Sequence, residues 1–249
     1  MSDHTVFNED CLEVLKRLEP ESIDCVVCDP PYKVISRGTN GTMGGILIQD
    51  NFKDGRGGFD NNTLEIDDYL PLLYRVMKDQ THGYLMSNEL NLVPFHLALE
   101  NNGFQVHCVL IWAKNNCIAN QFYMNSHEYI LFFRKGAAKP INNCGTRSVL
   151  NFTNPKNKVH PSEKPIDLLE VLIKNSTKEG ETVLDFAMGS GTTGMACMRS
   201  NRKFVGVEID KKYFELASER IIEFAIHYGR MSDTFTEEKE ASLEDMLGL

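Results

Sequence analysis

Residues 183–194 read VLDFAMGSGTTG. A short apolar run ends at Asp185. Gly189, Gly191 and Gly194 then form a G-x-G-x-x-G pattern that leads into Thr192, Thr193 and a helical stretch. Glycines at this spacing permit a tight turn and let the backbone approach a ligand closely. Nineteen residues beyond Gly189, the next apolar run, VGVEID, carries Glu208 and Ile209. A carboxylate at that point can accept both hydroxyls of a ribose. Strand, glycine turn, helix and second strand make one βαβ unit, which predicts a parallel α/β sheet.

The same alternation continues outward. Ile23–Cys28 (IDCVVC) reads as a buried strand that stops at two prolines, where ladder pairing must end. Residues 83–86, 107–112, 129–133, 181–185 and 204–208 read as further strands. Residues 10–18 and 165–175, and Lys211–His227, carry apolar positions at helical spacing. Residues 91–102 read as a helix stopped by Gly103. Residues 33–62, with seven glycines, and residues 113–126 and 136–160, rich in Asn, Lys and Arg, read as long loops after strand ends. Open α/β sheets bind ligands at such ends.

Asp185 narrows the ligand. A carboxylate beside a pyrophosphate would repel it. A carboxylate beside a sulfonium and an ammonium would hold them. S-adenosylmethionine therefore fits this turn better than a dinucleotide. A ligand-free structural turn is the competing reading of the glycines alone.

Asp29-Pro30-Pro31-Tyr32 follows the strand Ile23–Cys28 directly. The prolines fix their φ angles and offer no N–H, so their carbonyls can stand as rigid acceptors. Asp29 adds a carboxylate and Tyr32 an aromatic face. Two acceptors beside an aromatic plane suit an exocyclic base amine. Asp29 and the Pro30 carbonyl would take its two N–H groups and aim the nitrogen lone pair at a methyl group. Tyr32 would stack on a base taken out of the duplex. A strand-ending Pro-Pro turn is the plain alternative.

The 249-residue chain carries a net charge of −9, with 42% hydrophobic and 24% charged residues, so a largely disordered protein is excluded. No apolar run approaches the roughly 20 residues of a membrane span, and the acidic start MSDHTVFNED is not a secretory signal. Seven cysteines without a signal point to free thiols in a reducing cytoplasm. Cys25-x-x-Cys28 lacks a second pair and reads as two buried thiols. The seven histidines show no ligand spacing, so no metal is expected.

Charge is unevenly spread. Residues 112–160 hold Lys114, Arg134, Lys135, Lys139, Arg147, Lys156 and Lys158 against the single acid Glu128, a net of +6. Residues 1–32 carry −6 and residues 229–249 carry −4. A basic stretch on an acidic body is the footprint of a polyanion partner, and these seven cations are candidate DNA phosphate contacts.

With these motifs the sequence resembles the DNA amino-methyltransferases of the β class, in which the catalytic motif precedes the cofactor motif. The resemblance runs from about residue 6 to residue 222. His160-Pro161-Ser162-Glu163-Lys164-Pro165 matches the family's H-P-x-x-K-P, and residues 111–114 and 127–131 match two weaker motifs. One departure is plain. The family usually has Asp-Pro-Phe before the glycine turn, whereas here Phe186 and Ala187 follow Asp185, so the apolar cofactor contact falls to Phe186 or Met188.

The resemblance implies a single doubly wound Rossmann-like methyltransferase domain over residues 1–228, with a mostly parallel seven-stranded sheet, one antiparallel strand and motifs in permuted order. Target-recognition loops would lie at 33–62 and 113–160, followed by an acidic tail at 229–249. It implies S-adenosylmethionine as cofactor, contacted by Asp10, Cys11, Leu12, His160, Ser162, Lys164, Asp185, Phe186, Ala187, Gly189, Ser190, Gly191, Thr192, Thr193, Glu208 and Ile209. Asp29, Pro30, Pro31 and Tyr32 would be catalytic. DPPY favours adenine N6 over cytosine N4. The expected partner is DNA, and the expected location is the cytoplasm of a bacterium or a phage-infected host. Members often dimerise, which makes a homodimer an expectation. A cognate restriction endonuclease, where one exists, would be a separate chain. The alternatives are cytosine-N4 methylation, a nucleotide-dependent oxidoreductase, and a DNA-binding subunit that keeps the fold without turnover.

Overall fold

The computed structural model describes residues 4–31, 64–118, 123–156, 158–160 and 162–228. Tyr32, Pro161, the glycine-rich segment 33–62 and the tail 229–249 lie outside the described residues.

The elements run β1 (His4–Phe7), α1 (Cys11–Arg17), β2 (Ile23–Cys28), α2 (Ile66–Val76), β3 (Met77–Ser87), α3 (Leu92–Asn101), β4 (Gln105–Ile118), β5 (Asn125–Lys135), β6 (Val149–Asn151), α4 (Ile166–Ser176), β7 (Thr182–Asp185), α5 (Thr192–Arg199), β8 (Lys203–Val207) and α6 (Lys211–His227). One sheet carries the strands in the order β1-β8-β7-β2-β3-β5-β4-β6. Among the described strands only β5 runs against its neighbours, β3 and β4; every other described pairing is parallel. The mostly parallel doubly wound sheet with one antiparallel strand is therefore present. It has eight described strands, one more than the family pattern implied. The additional strand, β6, is three residues long and pairs with the edge of β4 inside a stretch whose composition reads as loop.

Strand β2 is buried along its whole length, as a central parallel strand covered on both faces must be. One face is covered by α4, α5 and α6, through Leu168, Leu172, Ala196, Phe214 and Ile221. The other is covered by α1, α2 and α3, through Leu15, Leu70, Leu73, Phe95 and Leu99. The chain order reverses between β2 and β7. The loops leaving these adjacent strands therefore diverge to opposite faces and open a crevice between them.

Helix α2 has no counterpart in the sequence reading. It holds Pro71 in its interior, which removes an N–H and argues locally against a helix. Burial of Tyr69, Leu70, Leu73 and Val76 against the sheet outweighs that penalty. Strands β3, β4 and β5 also extend well beyond their apolar cores, because the long antiparallel β4–β5 ribbon pairs polar residues as well.

Candidate active site

Both motif turns open into one cleft of about 1100 Å³ at the carboxyl ends of β2 and β7. Val26 pairs with Leu184, so Asp185 ends its strand level with Val27, and Asp29 follows two residues further along the neighbouring strand. Asp10, Cys11, Leu12, Asp29, Pro30, Pro31, His160, Ser162, Lys164, Asp185, Phe186, Ala187, Gly189, Ser190, Thr192, Thr193, Glu208 and Ile209 all line this cleft.

Gly191 is the exception among the residues assigned to the cofactor. It caps α5 at φ +76°, and a Cβ there would stand 2.9 Å from Cβ of Ala217. Its role is to let the turn reverse tightly against α6. Arg220 of α6 donates to Ser190 O at 2.7 Å and to Glu163 at 2.6 Å, so one side chain ties the glycine turn to the 160–165 turn. No sequence pattern marked Arg220.

Asp185 is buried at the strand end. It accepts the Thr193 hydroxyl at 2.5 Å and the Ala187 N–H at 3.2 Å. Burial raises its carboxyl to about 6, against the lowering effect of the Thr193, Cys28 and Ala187 hydrogen bonds. Glu208 accepts the N–H groups of Gly189 and Asp210, each at 2.9 Å. Its carboxyl is also held above the ordinary range, chiefly by burial. Among the described residues neither carboxylate is paired with a lysine or arginine. Two desolvated anionic groups without a protein cation fit a ligand that brings its own positive charge and a ribose diol. The donor set thus fits S-adenosylmethionine. Asp10 caps α1, accepting the Leu12 N–H at 2.7 Å, so its position at the cleft mouth is fixed by local structure as well. Phe186 is buried against Tyr69, with ring centroids 4.8 Å apart, and Met188 also lines the cleft. Both replacements for the family's phenylalanine therefore reach the site. His160 sits edge-on to Tyr213 at 4.4 Å, and its imidazole is lowered to about 4 by burial and then by the charge of Lys164, so it is neutral near pH 7.

Asp29 Oδ2 is bonded to Lys164 Nζ, while Asp29 Oδ1 is buried with no hydrogen-bond partner among the described residues. Burial raises the Asp29 carboxyl, and Lys164 opposes that rise. Lys164 also donates to Ser162 O at 3.0 Å and lies 3.4 Å from Glu128 Oε2. Glu128 in turn is bonded to Lys114, whose ammonium stands 4.8 Å from the Trp112 ring centre. In the sequence Glu128 stood out as the lone acid of a basic run and as a member of the weaker motif at 127–131. Trp112 is buried in the core, with its indole donating to Phe152 O at 2.8 Å.

The seven candidate phosphate contacts do not form one patch. Lys158 lines the cleft and Lys156 is exposed nearby in sequence. Lys114 also lines the cleft, where it is bonded to Glu128 and stands over Trp112. Strand β5 enters from the cleft at Asn125 and ends at the opposite edge of the sheet, carrying Arg134 and Lys135 away from the site. There Lys135 is buried and donates to Met77 O at 2.7 Å, and Arg134 is bonded to Gln105 and Gly136. Lys139 lies at that same far end, its carbonyl bonded to His82 at 3.0 Å. Arg147 is exposed two residues before β6. A run of like charge in the sequence is folded here into two separate ends of one sheet.

Comparison with known proteins agrees with this geometry. Residues 23–219 match a family described as DNA methylase, of the N6/N4 methyltransferase type. The chain is 28% identical over 235 residues to the type II methyltransferase M2.DpnII of Streptococcus pneumoniae, covering 86% of this chain and 88% of that one. It is 31% identical over 246 residues to the type II methyltransferase M.HpaI of Haemophilus parainfluenzae, covering 88% and 74%. The crystal structure of the M1.HpyAVI–SAM complex superposes with a TM-score of 0.66 at 24% identity, over 87% of this chain and 98% of that one. The cytosine-N4-specific PvuII DNA methyltransferase does so with a TM-score of 0.67 at 16% identity, over 98% and 94%, and these two likenesses show the shared fold. The family match begins at β2, which delivers Asp29, and ends in α6, which braces the glycine turn, and on that evidence this chain belongs to the N6/N4-type DNA methylase family.

Proposed function

We propose that this protein transfers a methyl group from S-adenosylmethionine to the exocyclic N6 amine of an adenine taken out of a specific DNA sequence. The observation that carries this reading is the adjacency of Asp29 and Asp185 in one cleft, at the ends of paired strands. An amine acceptor and a cation holder must be near neighbours for a methyl group to pass between their ligands.

When bound, the cofactor supplies an electrophilic methyl group on a sulfonium. The chain's own residues do the rest. Asp185 holds the ammonium end, and Glu208 accepts the ribose hydroxyls. Phe186 and Met188 give the apolar contact. Asp29 Oδ1 accepts one amine N–H and the Pro30 carbonyl the other, which turns the nitrogen lone pair toward the methyl group. Tyr32 stacks on the base. These acceptors also stabilise the positive charge that grows on the nitrogen, so preorganised electrostatics lower the barrier. Lys156 and Lys158 contact the phosphate backbone, and the segments 33–62 and 113–126 read the sequence. The expected setting is the cytoplasm, as a homodimer or as the modification partner of a restriction endonuclease.

The test is methyl transfer from labelled S-adenosylmethionine to mixed-sequence duplex DNA, followed by nucleoside separation. Label in N6-methyladenine is the expected outcome. Label in N4-methylcytosine would keep the mechanism and change the base. Cofactor binding without label on any DNA containing all short sites would overturn the reading in favour of a non-catalytic subunit.

A further inference from the structure

Asp29, Lys164, Glu128 and Lys114 form a chain of alternating charge. Three elements build it: the turn after β2, the turn before α4, and facing residues of the β4–β5 ribbon, where Trp112 pairs with Glu128. Their side chains are between 8% and 25% exposed, so the charges act on one another with little screening by water. Glu128 does not touch Asp29. Both act on the same ammonium, that of Lys164.

A lysine given wholly to Asp29 would neutralise the acceptor that the amine needs. Shared with a second carboxylate, the same lysine orients Asp29 and leaves more negative charge on it. Lys114, held over Trp112, fixes Glu128 in the place where it can do this.

We infer that Glu128 is a positioning residue for methyl transfer: it divides the Lys164 charge between two carboxylates, so that the ionised Asp29 is less neutralised by its lysine and is the stronger acceptor. This rests on the reading of the site as an amine methyltransferase.

Among the described residues the groups that face this cluster are few. Asp29 is faced by Lys164 and Glu128, with Lys114 behind them and Asp185 and Cys28 on the cofactor side. Glu128 is faced by Lys164 and Lys114, and Lys158 lies near enough to feel its charge. Burial raises the Glu128 carboxyl, but the two lysines more than offset it and leave it below the ordinary range, so Glu128 stays charged near neutral pH.

The experiment is the Glu128→Gln variant of the full chain, with two readouts. The first is titration of the Asp29 carboxyl by carbon-13 NMR in ligand-free protein, the signal being assigned by its loss in Asp29→Asn. Removal of a neighbouring negative charge moves the Asp29 midpoint to lower pH. The second is single-turnover methyl transfer at saturating cofactor, which falls by about ten- to a hundredfold while cofactor affinity is unchanged. Lys114→Met is the second variant, in case Glu128→Gln does not fold. It removes a cation and moves the Asp29 midpoint the other way. Folded variants in which the Asp29 midpoint stays put, or in which single-turnover transfer stays at the wild-type rate, overturn the inference; the rate is the readout that a merely structural ion pair would leave unchanged. Wild-type protein that moves no methyl group, while the midpoints still shift, sinks the methyltransferase reading and leaves the charge division standing.

Discussion

Lys164 Nζ is bonded to Asp29 Oδ2, across 135 residues of chain. The two residues come from the two proline-bearing turns of the site, and the bond locks one turn to the other. The Lys164 side chain is 8% exposed and that of Asp29 20%. Removing the cation leaves two carboxylates, Asp29 and Glu128, with Lys114 and, more distantly, Lys158 to balance them among the described residues. Lys164→Met is therefore expected to destabilise the fold by about 3–5 kcal/mol, the usual loss when one partner of a buried pair is removed. Chemical denaturation at pH 7 measures it, and a loss below about 1 kcal/mol would mean that the pair is screened like a surface contact.

Asp29→Ala removes an acceptor aimed at the developing charge. Methyl transfer is expected to fall by about a hundred- to a thousandfold, the magnitude found when one preorganised polar group is lost from a reacting centre. Asp185 and Glu208 are untouched, so the affinity for S-adenosylmethionine should hold. Single-turnover kinetics and calorimetric binding separate the two. Turnover within a few fold of wild type would remove Asp29 from the mechanism.

Asp185 links cofactor binding to pH. Its carboxyl titrates near 6, raised by burial, against about 3.9 in an unfolded chain. A raised acid favours the fold while protonated, so its contribution to stability is present below about 4 and is lost as pH rises through about 6. Binding runs the other way. The ammonium of the cofactor needs the carboxylate, so affinity grows with pH through about 6. At pH 5 it is expected to be about tenfold weaker than at pH 7.5. Asp185→Asn should bind weakly and lose most of this dependence. Calorimetry across that range decides it, since His160 is already neutral there.

Gly191 shows how the glycine turn is paid for in backbone geometry. Its φ of +76° costs an L-residue about 1–2 kcal/mol, and a Cβ would also meet Ala217 and stand 3.1 Å from Ile221 Cδ1. Crowding of that kind adds about 1–3 kcal/mol. Gly191→Ala should lower the melting temperature markedly and weaken cofactor binding through Ser190 and Thr192. A variant as stable as wild type would mean that α6 gives way at no cost.

The parts of this molecule that could be read from sequence are those whose physics is local. The apolar run Ile23–Cys28 became β2 with the same bounds, because six consecutive buried residues leave no other place for it in the sheet. Lys211–His227 became α6 likewise, with Asp210 capping it through the Tyr213 N–H. The cofactor turn and Asp29 were visible because glycine and proline restrict the backbone wherever they stand. Arg220 was not, and Glu128 was visible only as the lone acid of a basic run and a member of a weak motif, with no role attached, because each works through a partner far away in the chain. Helix α2 was hidden by Pro71, and β6 by its length of three residues.

The basic run 112–160 failed as a unit for a geometric reason, and that failure can be measured. An eleven-residue strand separates its members, so that Lys158 stands at the cleft while Lys135 is buried at the far end of β5. Burial and the nearby charges of Lys114 and Lys164 hold the Lys158 ammonium below its ordinary range, a local excess of positive charge that a phosphate would relieve. Lys158→Ala is therefore expected to weaken binding to duplex DNA and to reduce the slope of log affinity against log salt by about 0.9, the value for one lost phosphate contact. Lys135→Met should leave that slope alone. Its ammonium serves Met77 O, Glu21 and the Tyr74 ring, so its loss should appear as about 1–3 kcal/mol of lost stability. Salt titrations of both variants, with denaturation curves beside them, give opposite signatures if the two lysines do different work. Equal losses of DNA affinity would mean that the duplex reaches both ends of the sheet.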